Sequence, residues 1–176
     1  KILDQFFDKS ELLFLQTVYK DGRKDVIKSS GRNFYQIDNI YVIINEQSAS
    51  GSEILAGVLQ DQDRGIVIGK QSFGKGLVQD QYDLFNGGAL RLTIADYFLP
   101  SGRNIQKKLS LKDGKNYSFK YNRIDTFFSI KYKRPVLSGT GVTPDIFVED
   151  TLYDKVNRFV STHYDTITNL SLDFAL

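Results

Sequence analysis

The run Ile40-Tyr41-Val42-Ile43-Ile44 is apolar and mostly β-branched, and it leads within a few residues into Ser48-Ala49-Ser50-Gly51-Ser52-Glu53. So short and continuous a run reads as a strand covered on both faces. Beyond it, Ile54, Leu55, Val58 and Leu59 recur at helical spacing, which makes Gly51 to about Asp61 a short helix packed by one stripe. The chain must therefore contain a strand, a tight turn and a helix in succession. Ser50 stands at the elbow.

Two readings compete for that serine. Ser50-x-x-Glu53 ahead of an apolar helical pattern is the capping box, in which each side chain satisfies the other's backbone donor, and taken alone this is the simpler reading. The same position also suits a nucleophile. A serine at a strand-to-helix elbow presents its hydroxyl outward, while the amide of Gly51 and the positive end of the helix face any oxyanion that forms. Small neighbours, Ala49 and Gly51, leave room for a substrate backbone.

A base for Ser50 comes from Ser72-Phe73-Gly74-Lys75-Gly76. A lysine acts as a base only as the free amine, and because an ordinary one titrates near ~10.4 it needs a site that buries it without an acidic partner. If the strand continues from Lys75, then Lys75, Leu77 and Gln79 share one face, so Leu77 can exclude water while the neutral amide of Gln79 orients the amine. Gln79 is equally simple as a solvent-facing strand residue. A rival reading takes Gly69 to Gly76 as a phosphate loop. It fails at Gly76, where a Ser or Thr is needed, and Leu77 to Leu84 alternates like a strand where a helix should begin.

Composition narrows the chemistry. With no Cys and a single His163 near the C-terminus, thiol catalysis and multi-histidine metal sites are excluded, and a Ser-His-Asp triad would need that one histidine. A Ser-Lys pair needs nothing the chain lacks. No cofactor or metal is expected. The 176 residues, 41% hydrophobic with 13 Phe and 10 Tyr, suit one soluble domain held by packing alone. No stretch approaches the ~20 apolar residues of a membrane span, and Lys1 to Lys9 has no signal-peptide block.

Charge is uneven: Arg103 to Arg134 carries ten basic and two acidic residues, against 13 basic and 19 acidic elsewhere. A solvated insertion explains this more simply than a patch for an anionic partner. No nucleic-acid reading element accompanies it.

Along the chain, Lys1 to Phe7 reads as the end of a helix, and Glu11 to Tyr19 with Lys24 to Ser29 as a hairpin about Asp21-Gly22. Ile66 to Ile68 is a buried strand. Leu77 to Leu84 and Ala89 to Leu99 form a second hairpin about Asn86-Gly87-Gly88. Lys107 to Lys133 reads as largely irregular with one strand near Phe127 to Tyr132, Asp145 to Val148 as a short strand, and Leu152 to Val160 as a helix. Asp61, Asp63 and Arg64 read as surface charges at a helix end, with an ion pair worth under about 1 kcal/mol.

Taken together, these residues resemble the C-terminal processing, or tail-specific, serine proteases. The match runs through Ile43-Ile44-Asn45, Ser48 to Ile54, Gly69, Phe73-Gly74-Lys75-Gly76, Val78-Gln79, Leu92-Thr93, Tyr97, Pro100-Ser101-Gly102 and Gly141-Val142-Thr143-Pro144-Asp145. The resemblance implies Ser50 as nucleophile, Lys75 as general base, Gln79 as the residue that orients it, the Gly51 amide as half of an oxyanion hole, and Glu53 and Ser72 as supporting residues. It also implies an α/β fold, a mixed β-sheet with packed helices of the ClpP/crotonase-like type, here a partial catalytic domain over 1–176 with a basic insertion at about 103–134. A PDZ domain and the strand bearing the other oxyanion donor lie upstream in that family and are not in this chain. The isolated chain is therefore expected to be inactive, or slower by roughly two to three orders of magnitude. The implied function is serine endopeptidase action near or from the C-terminus of a protein or peptide substrate, in the bacterial periplasm or envelope, with no nucleic acid and no membrane span. The competing class is a non-catalytic peptide- or ligand-binding module on the same fold.

Overall fold

Each alternating segment needs a neighbour to satisfy its backbone, and the computed structural model, which describes residues 2–33, 36–112, 116–120 and 124–149, pairs them in two main sheets. β1 (Ser10–Tyr19) and β2 (Lys24–Ser30) are antiparallel across Asp21-Gly22. β5 (Leu77–Asp83) and β6 (Ala89–Phe98) are antiparallel across Asn86-Gly87-Gly88. The two hairpins join through β1 and β6 into one antiparallel sheet ordered β2-β1-β6-β5, which leaves β5 at an edge.

The second sheet is parallel. β3 (Tyr41–Ile44) reaches β4 (Ile66–Gly69) through the helix α1 (Gly51–Asp61), and β11 (Ile146–Phe147) adds to the far side of β4 in the order β11-β4-β3. Helix α1 lies between the two sheets. Its buried Ala56, Val58 and Leu59 meet Phe14 and Leu15 of β1, Ile44 and Val67 of the parallel sheet, and Tyr97, Leu99, Ile105 and Val142 in one core. Gly57 brings α1 this close, because a Cβ there would stand 2.4 Å from Leu99 Cδ1. The helix thus aims its N-terminus, and Ser50 before it, at the end of β5.

Several expectations are corrected. The N-terminal residues form only a single 3-10 turn, Leu3–Phe6. Strand β3 is not covered on both faces: Val42 and Ile44 turn inward, but Ile43 is 82% exposed, since no described element lies on that side. The stretch from Lys107 is more ordered than the largely irregular segment expected. It holds an antiparallel pair, β7 (Lys108–Lys112) and β8 (Asn116–Lys120), then β9 (Thr126–Phe128) pairing with β10 (Pro135–Leu137). The helix expected over Leu152 to Val160, and His163, lie outside the described residues. Among the described residues no helix is long and apolar enough to cross a membrane.

The charges at the end of α1 are not surface charges. Asp61 is fully buried against Arg103, and Asp63 accepts the Lys131 and Tyr132 N–H groups and pairs with Arg134 at 2.7 Å. Burial works to raise the Asp63 carboxyl, but the hydrogen bonds from Tyr132, Arg134, Ser129 and Lys131 outweigh it and hold the group below the usual carboxylate range. Arg64 donates to the carbonyls of Phe6, Ile37 and Asp38. Both ends of the basic stretch, Arg103 and Arg134, are therefore structural anchors.

Candidate active site

Strand β3 stops at Ile44 and the chain folds through Asn45 before α1 can begin. The Ser48 N–H donates to the Asn45 carbonyl at 3.0 Å, and the Asn45 N–H donates to Ser48 Oγ at 3.1 Å, which closes this turn. Ser50 then takes φ 55° and ψ −113°. A non-glycine residue in that region costs on the order of 1–3 kcal/mol and persists only where its surroundings impose it. The imposing group is Glu53. Its Oε2 accepts the Ser50 N–H at 2.9 Å, so the expected pairing of Glu53 with the Ser50 backbone is made.

That pairing uses only part of Glu53. The same Oε2 accepts the Lys75 N–H at 2.8 Å, while Oε1 accepts the Gly74 N–H at 2.6 Å and the Ser72 hydroxyl. One fully buried carboxylate thus fastens the serine elbow and the lysine loop to the same point. It holds Lys75 by the main chain and leaves the side chain to the groove. Ser72, also fully buried, accepts the Val142 N–H on its own Oγ at 2.7 Å. The Gly141-Val142 segment is thereby carried to the back of the site.

Other contacts complete the loop. The Phe73 N–H donates to the Ser48 carbonyl at 3.0 Å, a second strap between loop and elbow. Gly69, at φ +121°, lets the end of β4 lie close beside β3, because a Cβ there would lie 2.1 Å from the Ile44 carbonyl oxygen. Tyr97 donates its hydroxyl to the Lys75 carbonyl and its N–H to the Gly76 carbonyl at 3.0 Å. Burial first, and the Glu53 charge second, raise the Tyr97 phenol, which stays a donor at any working pH. Lys107 lays its stem over Gly74 and donates to the Ser72 carbonyl at 2.6 Å. Burial pulls its ammonium down while Glu53 and Glu46 oppose the fall.

Ser50, Lys75 and Gln79 all line one groove of about 510 Å³, walled by Leu15, Ile54 and Tyr97. Gly51 opens α1, so its amide belongs to the turn whose N–H groups have no intrahelical acceptor. Gln79 is brought to the groove. The register shift between Val78 and Gln79 puts its extra residue, Ile94, on β6, so β5 keeps its alternation from Leu77 to Gln79, and no hydrogen bond joins the Gln79 amide to the Lys75 amine. The phosphate-loop reading has no room here. The Gly74 and Lys75 amides, which would cradle a phosphate, are spent on Glu53, and the loop opens a strand.

The resemblance marked Glu53 and Ser72 as supporting residues, and the sequence itself offered only the capping bond of Glu53 to Ser50. Tyr97 carried a signal only as part of the resemblance, and Lys107 carried none. Because Glu53 serves four donors, Glu53→Gln leaves at least one buried donor facing an amide –NH₂. It is expected to lower the unfolding free energy by about 2–3 kcal/mol. An unchanged urea midpoint at an unchanged slope would contradict this reading of the carboxylate.

Residues 1–115 match the model described as peptidase family S41. A carboxy-terminal-processing protease of Bartonella bacilliformis is 38% identical over 162 residues, covering 90% of this chain and 29% of the relative. The chloroplastic C-terminal processing peptidase of Tetradesmus obliquus is 35% identical over 100 residues, covering 57% of this chain and 21% of its own. Among solved structures, the photosystem II D1 C-terminal processing protease superposes with a TM-score of 0.56 at 25% identity, over 84% of this chain and 30% of that one. The chain spans less than a third of the length of each of these relatives.

Proposed function

Because this chain belongs to peptidase family S41, we propose that it carries the Ser-Lys dyad of a serine endopeptidase that processes proteins near or from their C-terminus. The observation that carries the reading is the Glu53 carboxylate, which accepts the main-chain N–H of both Ser50 and Lys75 and so presents both side chains to one groove.

In this mechanism the Ser50 hydroxyl attacks a peptide carbonyl while the Lys75 amine, in its neutral form, takes the hydroxyl proton. The Gly51 amide and the α1 N-terminus stabilise the oxyanion. Collapse of the tetrahedral intermediate expels the amine, which receives the proton back from Lys75, and leaves an acyl group on Ser50. Water, deprotonated by Lys75, then hydrolyses that ester. Gln79 steadies the amine once substrate fills the groove. Glu53 and Ser72 fix the loop, and no metal or organic cofactor takes part. The fold is read as ClpP/crotonase-like, the chain as part of a larger catalytic domain that works with an upstream PDZ domain, and the setting as the bacterial envelope.

A serine-reactive fluorophosphonate, which phosphonylates an activated serine hydroxyl, tests this on the intact protein. Wild type is expected to label at Ser50. Lys75→Ala should slow labelling by about 10²–10⁴-fold, the usual worth of a positioned base. A wild-type protein that leaves Ser50 unlabelled would favour a non-catalytic peptide-binding module.

A further inference from the structure

The groove is lined by five consecutive residues, Leu77 to Gln81. Successive side chains of a strand point to opposite faces, so a cavity that touches all five runs along the strand's edge. That edge is open: among the described residues β6 is the sole ladder partner of β5. The Leu84 N–H donates to the Gly88 carbonyl at 2.8 Å, which sets the ladder's alternation and turns the N–H groups of Gln81 and Asp83 to the open side. The Gln81 N–H there is capped at 2.9 Å by the side chain of its own neighbour, Asp80. Such a row of outward amides is a template for an added strand.

Ser50 and Lys75 stand at the Leu77 end of this groove and Arg91 at the Gln81 end, about 13 Å further along at roughly 3.3 Å per residue. Arg91 is directly opposite Gln81 in the ladder and donates from Nη2 to Gln81 Oε1 at 3.2 Å, which draws the guanidinium across the ribbon toward the open edge. No described carboxylate pairs with it. We propose that Arg91 reads a carboxylate on a substrate strand added along β5, about four residues from the bond cleaved at Ser50. This rests on the proteolytic reading of the groove.

The substrate residue opposite Gln81 turns its side chain to the face shared by Gln81 and Arg91. Its main-chain carbonyl takes the Gln81 N–H from Asp80. The Asp80 charge lies on the other face, so it disfavours an acidic residue one position to either side and sharpens the preference to one site. The carboxylate comes either from a Glu or Asp side chain or from the chain terminus, and a bidentate guanidinium suits both.

The test is a scan of one Glu, against Gln, along an otherwise neutral peptide, each made with a C-terminal acid and a C-terminal amide, and cleaved by the intact protein. One position about four residues from the cut is expected to show a preference of about fivefold in kcat/KM. Arg91→Ala should bring that ratio near one, Arg91→Lys keep part of it, and Arg91→Glu turn it toward Lys. An effect in the Glu/Gln pair identifies a side chain, and one in the acid/amide pair identifies the terminus. A ratio that Arg91→Ala leaves unchanged overturns the proposal. The same peptides titrated by fluorescence anisotropy against Ser50→Ala separate the two readings. Arg91-dependent binding without wild-type cleavage sinks the protease and spares this site, while Ser50-dependent cleavage indifferent to charge does the reverse.

Discussion

Ser50→Ala in the intact protein is expected to cut the cleavage rate of an unfolded substrate by about 10⁴-fold or more, and Lys75→Ala by a similar factor. Both residues line one groove and their main chains share the Glu53 carboxylate, so each variant removes one half of a single unit. Effects of such a unit do not add. The double variant should be no slower than either single one. Lys75→Arg is the sharper probe, because it keeps a cation but cannot supply a free amine at any working pH. It should be as inactive as Lys75→Ala. Rates close to wild type for both Ser50→Ala and Lys75→Ala would show that neither residue performs the chemistry. A surviving Lys75→Arg activity would mean that the lysine serves as a charge and not as a base.

The elbow was legible because its signals are local. An apolar β-branched run, a Ser-x-x-Glu and a helical stripe all fall within Ile40 to Leu59, and the structure builds β3, the turn and α1 over the same residues. The two hairpins were legible from Asp21-Gly22 and Asn86-Gly87-Gly88, whose glycines Gly22 and Gly87 sit at φ +89° and +81°. The lysine loop was legible in position but not in wiring. Glu53 announces its bond to Ser50 through a three-residue spacing, whereas its bonds to Ser72, Gly74 and Lys75 span about twenty residues and leave no periodic trace.

The basic stretch departs from its expectation for a related reason. Leu109 and Leu111 alternate with polar residues, as Tyr117 and Phe119 do, and the ladder sets Leu109 opposite Phe119 and Leu111 opposite Tyr117. A period of two that lasts only five residues in each strand leaves the stretch as a whole weakly periodic. At Gln79 a period of two survives an irregularity: the extra residue, Ile94, lies on β6 and leaves the alternation of β5 unbroken.

Asp61 and Arg103 mark where local reasoning ends, and they carry the largest expected change in stability. An aspartate at a helix end is ordinarily solvated. Here both side chains are 0% exposed and stand 2.8 Å apart, with Arg103 Nη2 also donating to Gln60 Oε1 at 2.7 Å and Nη1 to the Leu137 carbonyl at 3.1 Å. Asp61 Oδ2 accepts the Ser101 N–H at 3.0 Å. Burial pushes the Asp61 carboxyl up and the Arg103 guanidinium down, and each charge opposes the other's shift. Removing one partner strands the other charge away from water, so Asp61→Ala or Arg103→Ala is expected to cost about 3–5 kcal/mol in a denaturant titration. The pair is not fully compensated, because Arg103 Nε is buried without an acceptor. Replacing both residues by apolar ones of similar volume, Asp61→Leu with Arg103→Met, should therefore cost less than the two single changes summed. Strict additivity would mean that the charges do not interact. Since this pair ties the C-terminal end of α1 to the turn after β6 and to β10, its single variants should also lower cleavage by loosening the direction in which the helix presents Ser50. A single variant that lost stability yet kept full activity well below its unfolding midpoint would confine the pair to the fold alone.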